Sequence, residues 1–168
     1  MDQAMEQTPQ QTTDPGGRVV QISVSDGGVP KQPVATAHVT AAGIVGDRQR
    51  NLKYHGGPDR ALCLWSLEVI KALQQENHPI ALGSAGENVT LAGLDWASLA
   101  PGSQIQLGSE VQVEITDYAA PCQTIMHGFS DRRFSRISQT HYPGSSRLYA
   151  RVLREGILRP GDRAVVVG

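Results

Sequence analysis

The chain has 168 residues, of which 39% are hydrophobic and 18 are glycine, and its formal net charge at pH 7 is −1. This length and this balance fit one globular domain with its own core and many turns. A net charge so close to zero argues against a general affinity for nucleic acids or membranes. No stretch approaches the ~18 consecutive apolar residues that a helix needs to cross a bilayer.

The N-terminal segment differs from the rest of the chain. Residues 1–17 carry polar and acidic groups with few large apolar side chains, so we expect a disordered tail there. Residues 18–168 are then expected to form a single domain. The tail lacks the apolar segment of a secretory signal. Because the chain has only two cysteines, Cys63 and Cys122, we predict a cytoplasmic protein with reduced thiols.

Apolar periodicity predicts several strands in the first half of the chain. The segment "RVVQISVS" places Val20, Ile22 and Val24 on one face, which is the two-residue period of a strand. A second strand is predicted within residues 35–45. The apolar run in residues 60–66 predicts a strand that is buried on both faces.

A helix is predicted to follow directly. Ser66 is a good N-cap for a helix over residues 67–77. Pro79 is expected to end that helix. Its apolar stripe consists of Leu67, Ile70 and Leu73.

Strands return in the second half of the chain. Alternating apolar residues predict them over residues 87–93, 103–108, 110–118, 146–153 and 162–168. Between the strands predicted over residues 110–118 and 146–153, the sequence predicts a further helix over residues 130–141, with Ser130 as its cap. The segments "LAPGSQIQLG" and "LRPGDRAVVVG" share a Pro-Gly turn, since Pro fits the second position of a type II turn and Gly the third.

This arrangement predicts the fold class. Seven or eight short strands, one to three short helices and abundant glycine indicate a mainly β fold that closes, or nearly closes, into a β-barrel. The lack of alternating strand and helix segments argues against a parallel α/β sheet.

The two cysteines lie in different surroundings. Cys63 is flanked by leucines and Trp65, the setting of a small buried hydrophobic residue. Cys122 follows Pro121 just beyond a predicted strand, and proline disfavours helical geometry at Ala120. If a helix begins at Cys122, its free N–H groups favour the thiolate, the reactive and metal-binding form. Cys122 is therefore the candidate reactive residue, the alternative being a partly buried, inert thiol.

A second dense stretch, "KYHGGPDRALC", covers residues 53–63. Gly56 and Gly57 allow backbone N–H groups to approach an anion closely. His55 and Arg60 flank this turn and can converge on the same anion. The same residues can equally form a purely structural turn.

Two further groups of polar residues have the same ambiguity. Glu87 and Asn88 immediately precede a predicted strand. Residues 131–163 contain eight arginines against three acidic residues, which indicates either a local anion-binding surface or ordinary solvated faces. The arginines are Arg132, Arg133, Arg136, Arg147, Arg151, Arg154, Arg159 and Arg163.

Other kinds of site are compatible with the sequence. A zinc site can be assembled from His55, Cys63, Cys122 and His127, although the spacings match no structural zinc pattern. A Cys–His hydrolase would pair Cys122 with His127 or His141, because such partners meet only in the fold. Neither GxGxxG nor GxxxxGK[ST] occurs in the sequence.

Four motifs, taken in order, resemble the MOSC domain family, which is named for the C-terminal domain of molybdenum cofactor sulfurase. They are "YHGGPDRALCLW", "GENVTLAGL", "APC" and "LYARVLREGILRPGD". The resemblance covers roughly residues 18–168 and is strongest to the small, stand-alone bacterial members. It implies a mostly β barrel that binds the molybdenum cofactor, a pterin with a dithiolene and a phosphate.

The resemblance also implies roles for particular residues. Cys122 matches the single cysteine that is thought to bind molybdenum or carry sulfur. The family often has an arginine shortly before this cysteine, whereas residues 118–120 here are YAA. The anion contact is then expected to be missing or to be supplied by Arg132 or Arg133. The residues that match the pocket-lining motifs are His55, Gly56, Gly57, Arg60, Glu87 and Asn88.

Three functions are compatible with this resemblance. The first is a molybdenum-dependent oxidoreductase that reduces N-hydroxylated compounds, with Cys122 as catalytic residue and metal ligand. The second is a sulfur carrier with a persulfide on Cys122, and the third is a binding module without chemistry. Since the sequence shows neither a ferredoxin-like nor a pyridoxal-phosphate domain, we expect no pyridoxal phosphate. The expected partners are an external electron donor or a cysteine desulfurase, with a small molecule as substrate.

Overall fold

The structure, a computed structural model, describes residues 16–48 and 57–167. The strands in these ranges are β1 (Gly17–Val24), β2 (Gln32–Val34), β3 (Ala37–Thr40), β4 (Gly43–Ile44), β5 (Leu62–Ser66), β6 (Val89–Ala92), β7 (Gln104–Leu107), β8 (Val111–Ala119), β9 (Arg147–Arg154), β10 (Gly156–Leu158) and β11 (Arg163–Val167). The α-helix α1 spans Leu67–Gln75. Short 3₁₀ helices span Pro58–Arg60, Trp96–Ser98, Gln123–Gly128 and Phe134–Ile137.

The main sheet closes on itself into a barrel. Its strands follow the order β11–β7–β8–β9–β5–β6–β1, and β1 pairs back onto β11. The prediction of a mainly β barrel is confirmed. Neighbours in this ring are antiparallel except β5 and β6, which are parallel and are joined through α1. This crossover was not expected, because a single strand–helix–strand unit gives no repeating pattern in the sequence.

The barrel interior is apolar, and β5 is buried along its whole length, as predicted. Leu62 and Leu64 belong to the main core, while α1 contacts both β5 and β6. Within the described ranges, none of the helices has the length and apolar character that a membrane crossing requires.

The predicted start of α1 is confirmed. The Ser66 side chain accepts a hydrogen bond from Val69 N at 3.3 Å, which satisfies one of the free N–H groups of the first turn. The predicted end is wrong by a few residues. The helix stops at Gln75, before Pro79, and Asn77 takes a positive φ of 67°.

Two further predictions need correction. Residues 35–45 form two short strands, because the chain turns at Ala41 and Ala42 and Gly43, the first residue of β4, takes a φ of 116°. The helix predicted over residues 130–141 is absent apart from the 3₁₀ turn Phe134–Ile137, since Arg132 has a φ of 61° that interrupts helical geometry. β1 begins one residue inside the predicted tail, and residues 1–15 lie outside the described residues.

We expect Leu64→Ala to destabilise the protein by about 3 kcal/mol, because it removes a fully buried side chain and leaves a cavity. Leu153→Ala is the matched control, since Leu153 is 43% exposed. Its cost should stay under about 1 kcal/mol. Urea unfolding of both variants measures the difference, and equal losses would contradict the assigned core.

Candidate functional site

A cleft of about 680 Å³ lies against the outer face of β5, β8 and β9. Leu64 and Leu148 point into the main core, whereas Cys63, Ala119 and Tyr149 form a separate cluster. Successive strand residues point to opposite faces of a sheet, so this second cluster faces outward, under the cleft. The polar and thiol side chains that line the cleft are Lys31, Arg60, Cys63, Asp117, Cys122, Arg147 and Tyr149.

A β-bulge in β8 determines which side chains reach this face. Ile115 pairs with Ala150, and Asp117 pairs with Tyr149, so Thr116 is an extra residue on β8. The inserted residue shifts the alternation of the strand by one position. Ile115 points into the core. After the bulge, Asp117 and Ala119 lie on the outer face, opposite Tyr149 and Arg147.

The bulge also holds the turn that precedes β5. The hydroxyl of Thr116 donates a hydrogen bond to the carbonyl oxygen of Asp59. Arg60 follows directly, and its guanidinium carbon lies 4.9 Å from the ring centroid of Tyr149, a distance at which a cation and an aromatic face attract each other. Burial, followed by the neighbouring Cys63 thiol, raises the pKa of Tyr149 to about 12. Tyr149 therefore keeps its proton at neutral pH.

Cys122 lies three residues after the end of β8, and its backbone is extended, with φ −143° and ψ 176°. It caps the 3₁₀ helix Gln123–Gly128, and its carbonyl oxygen accepts a hydrogen bond from Ile125 N at 3.2 Å. Its side chain lines the cleft and the residue is partly exposed. The condition that a helix begins at Cys122 is therefore met, although the helix is a short 3₁₀ helix.

Cys63 contrasts with Cys122. It is 6% exposed, and burial raises the pKa of its thiol to about 11. A thiol of this kind is neutral at physiological pH and therefore a poor nucleophile. The prediction that Cys63 is a small buried residue is confirmed, although its position in the wall of the cleft was not expected.

Arg147 brings a guanidinium to the cleft from the strand next to Cys122. It lies directly opposite Ala119 in the β8–β9 pair and is 5% exposed. Its Nη1 donates to Ala85 O at 2.6 Å and its Nη2 to Ala120 O at 3.3 Å. Its buried Nε has no hydrogen-bond partner within the described structure. Leaving such a donor unsatisfied costs roughly 1–3 kcal/mol, which indicates a site that a ligand or a water completes.

A buried ion pair supports the cleft wall, which Lys31 itself lines. Lys31 Nζ contacts Asp47 Oδ1 at 2.6 Å, and the two side chains are 3% and 4% exposed. Asp47 also accepts hydrogen bonds from Ser25 N at 2.9 Å and Asn88 Nδ2 at 2.8 Å. Asn88 Oδ1 in turn accepts from Cys63 N at 3.0 Å. Asn88 therefore connects β5 to the ion pair rather than facing the cleft.

Glu87 is also buried behind the wall, with 0% exposure. Its Oε1 accepts a hydrogen bond from Gly83 N, while Oε2 has no partner among the described residues. Burial raises the pKa of this carboxyl to about 7, even though its backbone hydrogen bonds and Arg147 act in the opposite direction. Gly83 has a φ of +83°, and a Cβ there would collide with the carbonyl oxygen of Lys31. The loop over residues 83–87 is thus closely packed.

The structure does not bring every candidate residue to the cleft. Arg132 and Arg133 are exposed and lie outside the residues that line it. Gly57 is exposed, with a φ of 81°, at the start of the turn that carries Arg60. His55 and Gly56 lie outside the described residues, so their placement stays a prediction.

Most of the eight C-terminal arginines are not at the cleft. Arg136 binds both carboxylate oxygens of Glu76, at 2.9 and 2.7 Å, and Arg151 lies 3.3 Å from Asp59. In the described structure, Arg147 alone of the eight lines the cleft. Of the predicted C-terminal anion-binding surface, only the guanidinium of Arg147 therefore lies at the cleft within the described structure, where Arg60 and the ion-paired Lys31 also line it.

The two alternative sites gain no support. No cluster of three or more His, Cys, Asp or Glu side chains that could hold a metal ion occurs in residues 16–48 and 57–167. His127 and His141 are exposed, and neither lines the cleft with Cys122.

Sequence reasoning missed Lys31, Asp47 and Tyr149, and it named Arg147 only as one of eight arginines of a possible anion-binding surface. Arg147 and Tyr149 alternate with apolar residues along β9, and this pattern already indicates that both share one face. The sequence does not reveal which residues of β8 lie opposite them, because the bulge in β8 sets that register.

We expect Glu87→Gln to remove part of the pH dependence of stability. The folded pKa is about 7 against an ordinary value of 4.5, so folding retains a proton that the unfolded chain releases. The stabilisation is therefore complete below pH 4.5 and is lost as the pH rises through 7. Between pH 5 and pH 8 the wild type should lose about 2–3 kcal/mol relative to the variant. Urea titrations across this range measure the difference, and parallel curves would contradict the burial of a titrating carboxyl.

Comparisons with known proteins give the family. The MOSC domain profile matches residues 51–165. YflK of Bacillus subtilis (strain 168) is 31% identical over 137 residues, which cover 80% of this chain and 60% of YflK. YiiM of Escherichia coli (strain K12) is 27% identical over 105 residues, which cover 60% of this chain and 46% of YiiM. The chain therefore spans less than two thirds of the length of either relative.

The fold recurs in a solved structure. The crystal structure of YiiM from Geobacillus stearothermophilus superposes with a TM-score of 0.69 at 25% sequence identity, over 90% of this chain and 75% of that one. The matched residues include Arg60, Cys122 and Arg147. The chain belongs to the MOSC domain family.

Proposed function

We propose that this protein binds the molybdenum cofactor in the cleft and reduces N-hydroxylated compounds, with Cys122 as the molybdenum ligand. The MOSC domain family is associated with this cofactor. One observation carries the proposal: the accessible thiol of Cys122 shares a cleft with Arg147, a buried cation without an ion-pair partner in the described structure. A thiol beside an uncompensated positive charge suits an anionic ligand that also carries a metal.

The residues of the cleft fit such a group. Its volume of about 680 Å³ falls within the range of roughly 300–1,000 Å³ that is usual for small-molecule and cofactor sites. Cys122 would supply a soft sulfur donor to molybdenum. Arg60 and Arg147 would hold the phosphate and the polar edge of the pterin.

The other predicted ligand residues have different parts in this proposal. Gly57, together with His55 and Gly56, which lie outside the described residues, would complete the anion site. Glu87 and Asn88 would act from behind the wall, since both are buried and hydrogen-bonded to neighbouring segments.

The proposed reaction converts R–NHOH to R–NH₂ and water, and it consumes two electrons and two protons. The bound cofactor would supply two-electron chemistry, and an external donor would supply the electrons. Tyr149 is protonated at neutral pH and lines the cleft, so its hydroxyl would donate a hydrogen bond to the departing oxygen. Arg60, which lies over the ring of Tyr149, would hold that ring in place.

We expect Cys122→Ser to lose molybdenum and at least about 100-fold in reductase activity, since one oxygen donor replaces the soft sulfur ligand. Cys63→Ser is the matched control and should retain most of both, because the Cys63 side chain lies in the cleft wall but is only 6% exposed, and burial keeps its thiol neutral. The measurements are molybdenum per chain, for protein made in a host that synthesises the cofactor, and reduction of an N-hydroxylated purine with reduced methyl viologen. Equal activity of Cys122→Ser and wild type would reject the proposal.

The same thiol would serve a sulfur carrier. In that case wild-type protein incubated with a cysteine desulfurase and cysteine would gain the mass of one sulfur atom on the peptide that contains Cys122. A persulfide at Cys122 together with no molybdenum in wild-type protein would favour the carrier over the reductase.

A further inference from the structure

The guanidinium of Arg147 connects two segments that are distant in the sequence. Nη1 donates to Ala85 O in the loop over residues 83–87, and Nη2 donates to Ala120 O, two residues before Cys122. Both loops line the cleft. One planar side chain thus holds the segment that carries the thiol against the opposite wall.

The position of Arg147 depends on its neighbour across the sheet. Arg147 and Ala119 are directly paired, so their side chains share the outer face. Ala119 is 0% exposed, and its methyl group leaves room for the long arginine side chain to pass over it. A larger residue at position 119 would occupy this space. The small residues before Pro121 therefore fit an arginine that arrives from β9.

The charge of Arg147 is not balanced by an ion pair. Its hydrogen-bond partners are carbonyl oxygens, and no carboxylate of the described residues lies within ion-pair distance of it. Glu87 acts on it electrostatically, but burial raises the pKa of Glu87 to about 7, so this carboxyl is only partly charged at neutral pH. Buried arginines are normally paired with an anion. Arg147 Nε, which also lacks a partner in the described structure, is a second unmet interaction of the same group.

We propose that Arg147 is the positioning residue of the cleft. It holds the segment of Cys122 against the 83–87 loop, and its unbalanced charge receives a phosphate or similar oxyanion beside the thiol. The proposal deepens the proposed function by naming the residue that orients the thiol and binds the anionic part of its ligand. It does not require that the ligand contain molybdenum.

Hydrogen exchange tests the first part. In Arg147→Met, backbone amides in residues 122–125 and 84–88 should exchange at least about 10-fold faster than in wild type, while amides of β1 and β7 stay unchanged. Arg154→Met is the matched control, because Arg154 is an exposed arginine on the same strand, and it should leave both segments unchanged. Should Arg147→Met fail to fold, Arg147→Lys serves instead, since one ammonium group does not reproduce the planar pair of bonds. Exchange within two-fold of wild type at both segments would overturn the positioning role.

Anion protection tests the second part, with inorganic phosphate as the probe. Phosphate should slow the alkylation of Cys122 by iodoacetamide in wild-type protein, with a saturable dependence on concentration. In Arg147→Met the concentration for half protection should rise at least about 10-fold, whereas Arg147→Lys, which keeps the charge, should recover most of the protection. If Arg147 had only a structural role, phosphate would protect Cys122 no better in Arg147→Lys than in Arg147→Met.

The two proposals can fail separately. No protection of wild type by phosphate, or equal protection of wild type and Arg147→Met, would overturn the anion-binding role of Arg147. A different outcome is that the phosphate-protection and hydrogen-exchange results both follow the expectations above while Cys122→Ser keeps wild-type reductase activity. That combination would support the positioning and anion-binding role of Arg147 and reject the cofactor proposal.

Discussion

The bulge at Thr116 is the constraint on which the rest of the site depends. Without the extra residue, β8 would continue its regular alternation and Asp117 would point into the barrel with Ile115. The shift brings Ala119 opposite Arg147 on the outer face, and it sets the direction in which Cys122 leaves the strand. The hydrogen bond from Thr116 to Asp59 then ties the same irregularity to the turn that carries Arg60. One inserted residue thus aligns the thiol with two of the cations around it.

The cleft is lined by apolar side chains and by a few buried charged groups, with further buried charges behind them. Lys31 and Asp47 neutralise each other at 2.6 Å, whereas Arg147 and Glu87 each keep a buried polar atom without a partner in the described structure. Burying charge is costly, and replacing such groups with apolar ones often stabilises a protein. Their presence around one partly exposed cysteine therefore supports the proposed binding role, because apolar side chains would form a purely structural wall at a lower cost in free energy.

The sequence predicted the elements of the barrel better than their connections. Alternation in "EVQVEITDY" and the apolar run around Cys63 indicated strands that are present, because burial on one face or both leaves a periodic record. The helix predicted over residues 130–141 failed, because the backbone at Arg132 adopts a left-handed conformation that no apolar period reports. A strand register that depends on one bulge has no signature in composition or period.

The site was predictable to a similar extent. Cys122 was distinguished from Cys63 by its position after a proline at the end of a strand, and the contrast in exposure between the two agrees with that reading. The sequence analysis expected Arg132 or Arg133, which are close to Cys122 in the chain, to supply the anion contact. Of the C-terminal arginines in the described structure, Arg147 is the one that lines the cleft. Residues that are distant in sequence meet across a sheet, so proximity along the chain was the wrong guide.

X-ray absorption at the molybdenum K-edge tests most directly whether Cys122 presents its sulfur to a metal. The sample is protein loaded with the cofactor, as wild type and as Cys122→Ser. The account predicts one more sulfur neighbour around molybdenum in the wild type than in the variant, with the remaining coordination unchanged. An identical sulfur coordination in the two proteins would contradict it.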